Sequence, residues 1–132
     1  MTSVVIVADS GPEMARLTTS VKQIRGMEIV RHASGRTSVA RIVAAHAPSL
    51  VLIYEMSPRR LTLERLAEVR AASPYSSIVV LAADPGARWL MRALRSGASA
   101  VVPGELSVAA LATVLQEVLT SDAAGAVPAL AA

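Results

Sequence analysis

Leu50-Val51-Leu52-Ile53-Tyr54 is a run of four aliphatic residues closed by a tyrosine, with no polar residue alternating through it. It is too short for a buried helix, and its lack of alternation marks a strand covered on both faces, as in a parallel sheet. Similar runs recur at residues 4–8, 28–32, 78–82 and 100–102. Between them, segments with helical periodicity lie near residues 12–24, 37–45, 62–72, 85–95 and 108–119. Five strands alternating with five helices predict an α/β domain whose parallel sheet carries helices on both faces. Local punctuation agrees. Ser10 with Glu13 has capping-box spacing, Asp84 before Pro85 reads as N-cap then N1, and Ser107 is placed to cap the last helix. Gly97 ends the fourth helix in a C′-like position.

A chain of 132 residues, 53% of them hydrophobic, suffices for one domain with its own core. Beyond Thr120 the pattern changes to an Ala-rich stretch with no amphipathic face, so 1–120 is expected to be the domain and 121–132 a flexible linker or tail. The absence of cysteine removes disulfides, thiolate metal sites and cysteine nucleophiles. The apolar runs are strand-sized and none spans a membrane; with no basic start or cleavage site at the N-terminus, a cytoplasmic location is expected. Twelve arginines against one lysine, Lys22, leave a net charge of only +3, too little to imply nucleic-acid binding by this domain. The turn Ala8-Asp9-Ser10-Gly11-Pro12 has one glycine followed by a proline that lacks an amide donor, which is poor material for a phosphate cradle. No Ser/His/Asp or paired-carboxylate arrangement suggests hydrolysis, and His32 and His46 have no metal-ligand spacing. The sequence therefore predicts no enzyme, no cofactor and no metal.

Two segments carry a family resemblance. Ala47-Pro48-Ser49-Leu50-Val51-Leu52-Ile53 is similar to the "RPDLVLLD" lead-in of the receiver domains of bacterial two-component response regulators. Arg92-Ala93-Leu94-Arg95-Ser96-Gly97-Ala98-Ser99 resembles the "RALRAGAS" segment of receivers that precede a helix-turn-helix of the LuxR/NarL type. The resemblance covers roughly residues 3–120. It implies a (βα)5 flavodoxin-like, or CheY-like, doubly wound sheet of strand order 2-1-3-4-5, with its site at the C-terminal strand ends.

Phosphoryl transfer to a receiver needs an acidic pair for Mg²⁺, an acceptor aspartate, a hydroxyl and a lysine. The acidic pair matches Ala8 and Asp9, so one carboxylate remains. Counting from Pro48 and from Pro58 puts Tyr54 at the acceptor position, and a phenol cannot form an acyl phosphate. The hydroxyl position is Ala82 and the lysine position Gly104, while the only lysine, Lys22, belongs to the first helix. The resemblance thus implies an atypical pseudo-receiver with a degenerate phosphorylation site. Tyr54 reads as an aromatic plug for the emptied cavity, buried and close to Asp9, with a ligand-sensing ring as the alternative. If Tyr54 faces the pocket, strand alternation turns Glu55 away; a one-residue slip would make Glu55 a standing imitation of the phosphorylated acceptor.

On the fourth helix Arg88, Arg92 and Arg95 share one face, Ala87, Leu90, Met91 and Leu94 form the expected buried stripe, and Trp89 falls off it. Arg88, Trp89, Arg92 and Arg95 form a candidate interaction surface, since Trp and Arg dominate interface energetics. Arg59 and Arg60 are expected in a loop at a basic rim. On the fifth helix Val108, Leu111, Leu115 and Val118 suffice to cover the sheet, and Val114 widens the apolar arc, which predicts a homodimer through that helix. The expected function is phosphorylation-independent signalling by protein–protein interaction, as the N-terminal part of a DNA-binding transcriptional regulator with its output domain C-terminal to this chain. A stand-alone adaptor, or a receiver controlled by a small molecule in the altered pocket, are the alternatives.

Overall fold

The computed structural model describes residues 1–124. Strands β1 (Thr2–Ala8), β2 (Met27–Ser34), β3 (Leu50–Tyr54), β4 (Ser77–Leu81) and β5 (Ala100–Val102) alternate with helices α1 (Pro12–Lys22), α2 (Ala40–His46), α3 (Arg59–Ala72), α4 (Ala87–Arg95) and α5 (Val108–Ala124). All strand pairs are parallel, in the order β2-β1-β3-β4-β5. This is the flavodoxin-like (βα)5 architecture, with the order reversing between β1 and β3, where a doubly wound sheet opens its crevice.

Leu50 to Ile53 are fully buried, as a strand without alternation requires. The pleat divides them between two cores. Val51 and Ile53 join Val5, Val7, Ile78 and Val80 under α2, α3 and α4, while Leu50 and Leu52 join Val4, Ile6, Val79 and Leu81 under α1 and α5. Tyr54, next in the alternation, falls on the α1/α5 side. Each fully buried Val, Leu or Ile contributes roughly 1.5–3 kcal/mol, so the two cores hold the strand ends in fixed register.

The helix ends differ from the sequence expectation in physically specific ways. Ser107 caps α5 as expected, its Oγ accepting the Ala110 N–H at 3.1 Å. Gly97, at φ +117°, closes α4 in the expected C′ position: its N–H donates to Leu94 O and that of Ala98 to Ala93 O, a Schellman closure. Ser10 does not cap α1, whose N-cap is Gly11, and Asp84 does not cap α4, which begins two residues after Pro85 behind Gly86. Asp84 instead adopts φ +41°, and its carbonyl accepts the Gly86 N–H in a turn. Helix α3 begins at Arg59 rather than Thr62, so Arg59 and Arg60 lie in its first turn and not in a loop. Helix α5 continues to Ala124, so residues 121–124 of the expected tail are helical; the remainder, 125–132, lies outside the described residues.

Arg70 fastens α3 to the far end of α4. It donates to Gly97 O at 2.7 and 3.1 Å, to Ser76 O at 2.7 Å and to Pro74 O at 2.9 Å. Burial lowers its pKa from the ordinary guanidinium value, with Asp122 opposing that shift. Among the described residues no helix is long and apolar enough to cross a membrane.

Candidate functional site

The C-terminal ends of β1 and β3 present Asp9, Tyr54 and Glu55 to one depression of about 450 Å³, completed by Glu13, Met56, Ser57 and Arg59. Ala8 and Ala82 are buried at their strand ends and bring no polar group to it. Ala82 is spent on the sheet, its N–H donating to Val102 O at 2.9 Å.

Asp9 and Tyr54 share this depression, but Asp9 pairs with neither backbone nor phenol. Its partner is Arg36, from the loop after β2. Arg36 Nη2 donates to Asp9 Oδ2 at 2.9 Å; Nε lies 2.8 Å from Oδ1 at an angle that makes an ion-pair contact rather than a hydrogen bond. Arg36 Nη1 also donates to Ser57 O at 2.8 Å. The loop is held by Arg65 of α3, which donates to Gly35 O at 2.9 Å and to Glu68 at 2.7 Å. A guanidinium therefore takes the Asp9 carboxylate, where the resemblance implied an acidic pair. Among the described residues no group of three His, Cys, Asp or Glu side chains is arranged to hold an ion. The donor set does not fit the Mg²⁺ that receiver chemistry requires.

Glu55 does not turn away from the site. Tyr54 leans toward α1 and α5, and Glu55, opposite in the alternation, brings its carboxylate to the end of β4. There Oε1 accepts the Ala83 N–H at 2.8 Å and Oε2 accepts Arg59 Nε at 2.6 Å, with the Glu55 side chain only 18% exposed. Arg59 Nη2 donates to the carbonyls of Ala83 and Asp84, and its guanidinium sits 5.7 Å from the Trp89 ring centroid. An arginine in the first turn of a helix opposes the macrodipole; Glu55 offsets that cost and makes Arg59 a clasp between α3, the β4–α4 turn and α4.

Tyr54 is half-buried, not a buried plug. Its ring crosses toward Gly104, and a Cβ there would stand 2.7 Å from the phenol oxygen. Glycine at 104 is thus a packing requirement of tyrosine at 54, and the position where the resemblance implied a lysine is occupied from across the cleft.

The surface features divide. Arg88, Arg92 and Arg95 are exposed, but α4 is rotated relative to the expected stripe: Ala93 is buried, Trp89 packs against the core, and Met91 and Leu94 are 47% and 41% exposed. The cause is size. The indole offers more apolar area than any aliphatic residue of this helix, and Ala93 one turn on lets the helix approach closely. Val114, expected outside the buried stripe, packs partly against the α1/α5 core, and exposed positions nearby on α5 are polar: Thr113, Gln116 and Glu117.

Among solved structures, the chain is similar to the signal receiver domain of the response regulator NarL from Mycobacterium tuberculosis: 16% identity, TM-score 0.79, 91% of this chain and 97% of that one covered. The fold is the receiver fold. A DNA-binding response regulator of the LuxR family from Staphylococcus aureus aligns at 21% identity and TM-score 0.71, over 90% of this chain and 99% of that one. A pilus assembly protein from Burkholderia thailandensis aligns at 18% and 0.73, over 92% and 100%. No family model and no curated protein matches the sequence. At these identities the likeness covers the receiver fold and not its chemistry.

Arg36 is the partner of Asp9 that sequence reading did not identify. It lies 27 positions from Asp9, in a loop with no motif, and its only signal was an arginine at the C-terminal edge of the sheet beside a lone acid.

Proposed function

We propose that this chain is a pseudo-receiver: a regulatory domain that signals through protein–protein contacts without being phosphorylated, as the N-terminal part of a DNA-binding transcription regulator. The observation that carries this reading is the Glu55 carboxylate, held between the Ala83 N–H and Arg59 at the edge of a site whose acceptor position is Tyr54. A fixed carboxylate, neutralised by an arginine of the same chain, ties β3 to the β4–α4 turn without an incoming group. The regulator context is supported by the LuxR-type segment Arg92 to Ser99 and by the receiver fold shared with a LuxR-family DNA-binding regulator.

The contact surface belongs to α4. Met91 and Leu94 are exposed among Arg88, Arg92 and Arg95, with no acidic residue on the helix, which favours a partner with apolar anchors and an acidic rim. The homodimer is likewise proposed to use the face that α4 and β5 share with α5; Val114 contributes only at its edge, because much of that side chain is already spent on the core. Met91→Glu should lower any dimer mass seen by light scattering more than Val114→Thr; equal effects, or a monomer at tens of micromolar, would remove the dimer from the proposal.

The chemical test is intact-mass measurement after incubation with acetyl phosphate and Mg²⁺. No phosphoryl adduct is expected on the chain or on Tyr54→Asp, because Ala8, Ala82 and Gly104 still lack the carboxylate, hydroxyl and amine that transfer needs. A stoichiometric adduct on the unaltered chain would overturn the proposal.

A further inference from the structure

A second cavity lies on the other side of Tyr54, between α1 and the β5–α5 loop, with a volume of about 330 Å³. That is at the lower end of the range of about 300–1,000 Å³ typical of small-molecule sites. Its wall is apolar where it meets the core: Leu17, Leu81 and Leu111 are buried with their side chains toward α1 and α5. Polar groups converge from three separate elements. Tyr54 lines it from β3 with its phenol oxygen toward Gly104, Ser20 lines it from α1, and Ser107 marks the N-terminus of α5, whose dipole puts partial positive charge at the opening. Among the described residues the Tyr54 hydroxyl has no hydrogen-bond partner and is not a buried unpaired group, so it is free to donate to an occupant.

The charges at the rim set the ligand class. Arg16 lines the opening and, among the described residues, makes no ion pair. Glu105 stands at the same opening, also unpaired. One cation and a helix N-terminus favour an anionic head; Glu105 disfavours a second negative charge. The cavity is open at Gly104, which has no side chain to fill the space, and Tyr54 forms a wall of it with the phenol oxygen toward Gly104.

We infer that the cleft between α1 and α5 is a binding site for a small amphipathic monocarboxylate, its apolar body against Leu17, Leu81 and Leu111, its carboxylate accepting the Tyr54 hydroxyl and paired with Arg16. Tyr54 also borders the depression that holds Asp9 and Glu55, so an occupant would bear on the ring that separates the two. The inference is independent of whether the chain is phosphorylated, and intact mass and binding fail separately.

The experiment is an amide NMR titration of the chain with three probes, phenylacetate, indole-3-acetate and octanoate, each beside its methyl ester. At least one acid should give saturable shifts below about 5 mM, centred on Ser20, Tyr54, Ser107 and Leu111, with its ester at least about tenfold weaker. Arg16→Glu, at an exposed position, should weaken the acid by about tenfold or more and leave the ester unchanged. Tyr54→Phe should weaken the acid while preserving the spectrum of the fold, and Ser20→Trp should block both forms. The inference is overturned if no acid saturates at those amides, if acid and ester bind alike, or if Arg16→Glu leaves the acid's affinity unchanged.

Discussion

Glu55→Ala should loosen the turn between β4 and α4 by a measurable amount. It removes two charge-assisted hydrogen bonds, to the Ala83 N–H at 2.8 Å and from Arg59 at 2.6 Å. Such bonds contribute about 1.5–3 kcal/mol each when well buried. Here the Arg59 side chain is 39% exposed, which reduces the ion pair to below about 1 kcal/mol. Ala83 is also exposed, so water replaces its lost acceptor and that bond contributes about 1 kcal/mol. The sum is about 1.5–2 kcal/mol, or roughly 6–10 °C in melting temperature for a domain of this size. Urea denaturation of Glu55→Ala, Arg59→Met and the double variant gives the coupling directly, expected at about 0.5–1 kcal/mol. The chain's one tryptophan is a local reporter, because Arg59 stands over the Trp89 ring. Its emission should change in either single variant and no further in the double. A coupling under about 0.3 kcal/mol together with unchanged Trp89 emission would refute the clasp.

Gly104→Ala should cost about 1–2 kcal/mol, since its Cβ would meet the Tyr54 hydroxyl at 2.7 Å, and the cost should shrink in a Tyr54→Phe background; equal costs in both would break the link between the two positions. Tyr54→Ala, removing a half-buried ring, should cost roughly 1–3 kcal/mol in denaturant unfolding, below the range for a fully buried aromatic. Asp9→Asn should change stability by less than about 1 kcal/mol, and the change should fade in 1 M salt, because Arg36 and Asp9 are 52% and 37% exposed. Gly97→Ala should cost about 2 kcal/mol or more, as φ +117° strains any side chain and its Cβ would lie 2.7 Å from Arg70; an unchanged denaturation midpoint would contradict the helix closure described above.

The sheet was legible because burial on both faces writes itself as unbroken aliphatic runs. Residues 50–54 and 100–102 were delimited to the residue, and β1, β2 and β4 missed only at their ends, where pairing with a neighbour rather than composition sets the limit. The α4 face was misread because a nine-residue helix has little periodicity, and one indole outweighs three aliphatic side chains in choosing what to bury. Ser10 and Asp84 satisfied capping spacings, but glycines one and two residues on, Gly11 and Gly86, took the N-cap positions instead. The assignment of Ala8, Tyr54, Ala82 and Gly104 to the positions of the family motif rests on counting alone. The contacts around them were not readable that way. Arg36 reaches Asp9 across 27 residues, and the orientation of Glu55 depended on which core Tyr54 joined, which follows from the strand's phase in the sheet.

The claim that this receiver-fold domain carries its own fixed charges in place of metal and phosphoryl group is tested most directly with a phosphoryl mimic. Amide NMR spectra of the chain would be recorded with and without beryllofluoride and Mg²⁺ at millimolar concentration. The spectra should superimpose, with the Glu55, Ala83 and Trp89 signals unmoved, because Arg36 already pairs Asp9 and Arg59 already pairs Glu55. Saturable shifts at those three residues that require both ions would contradict the account.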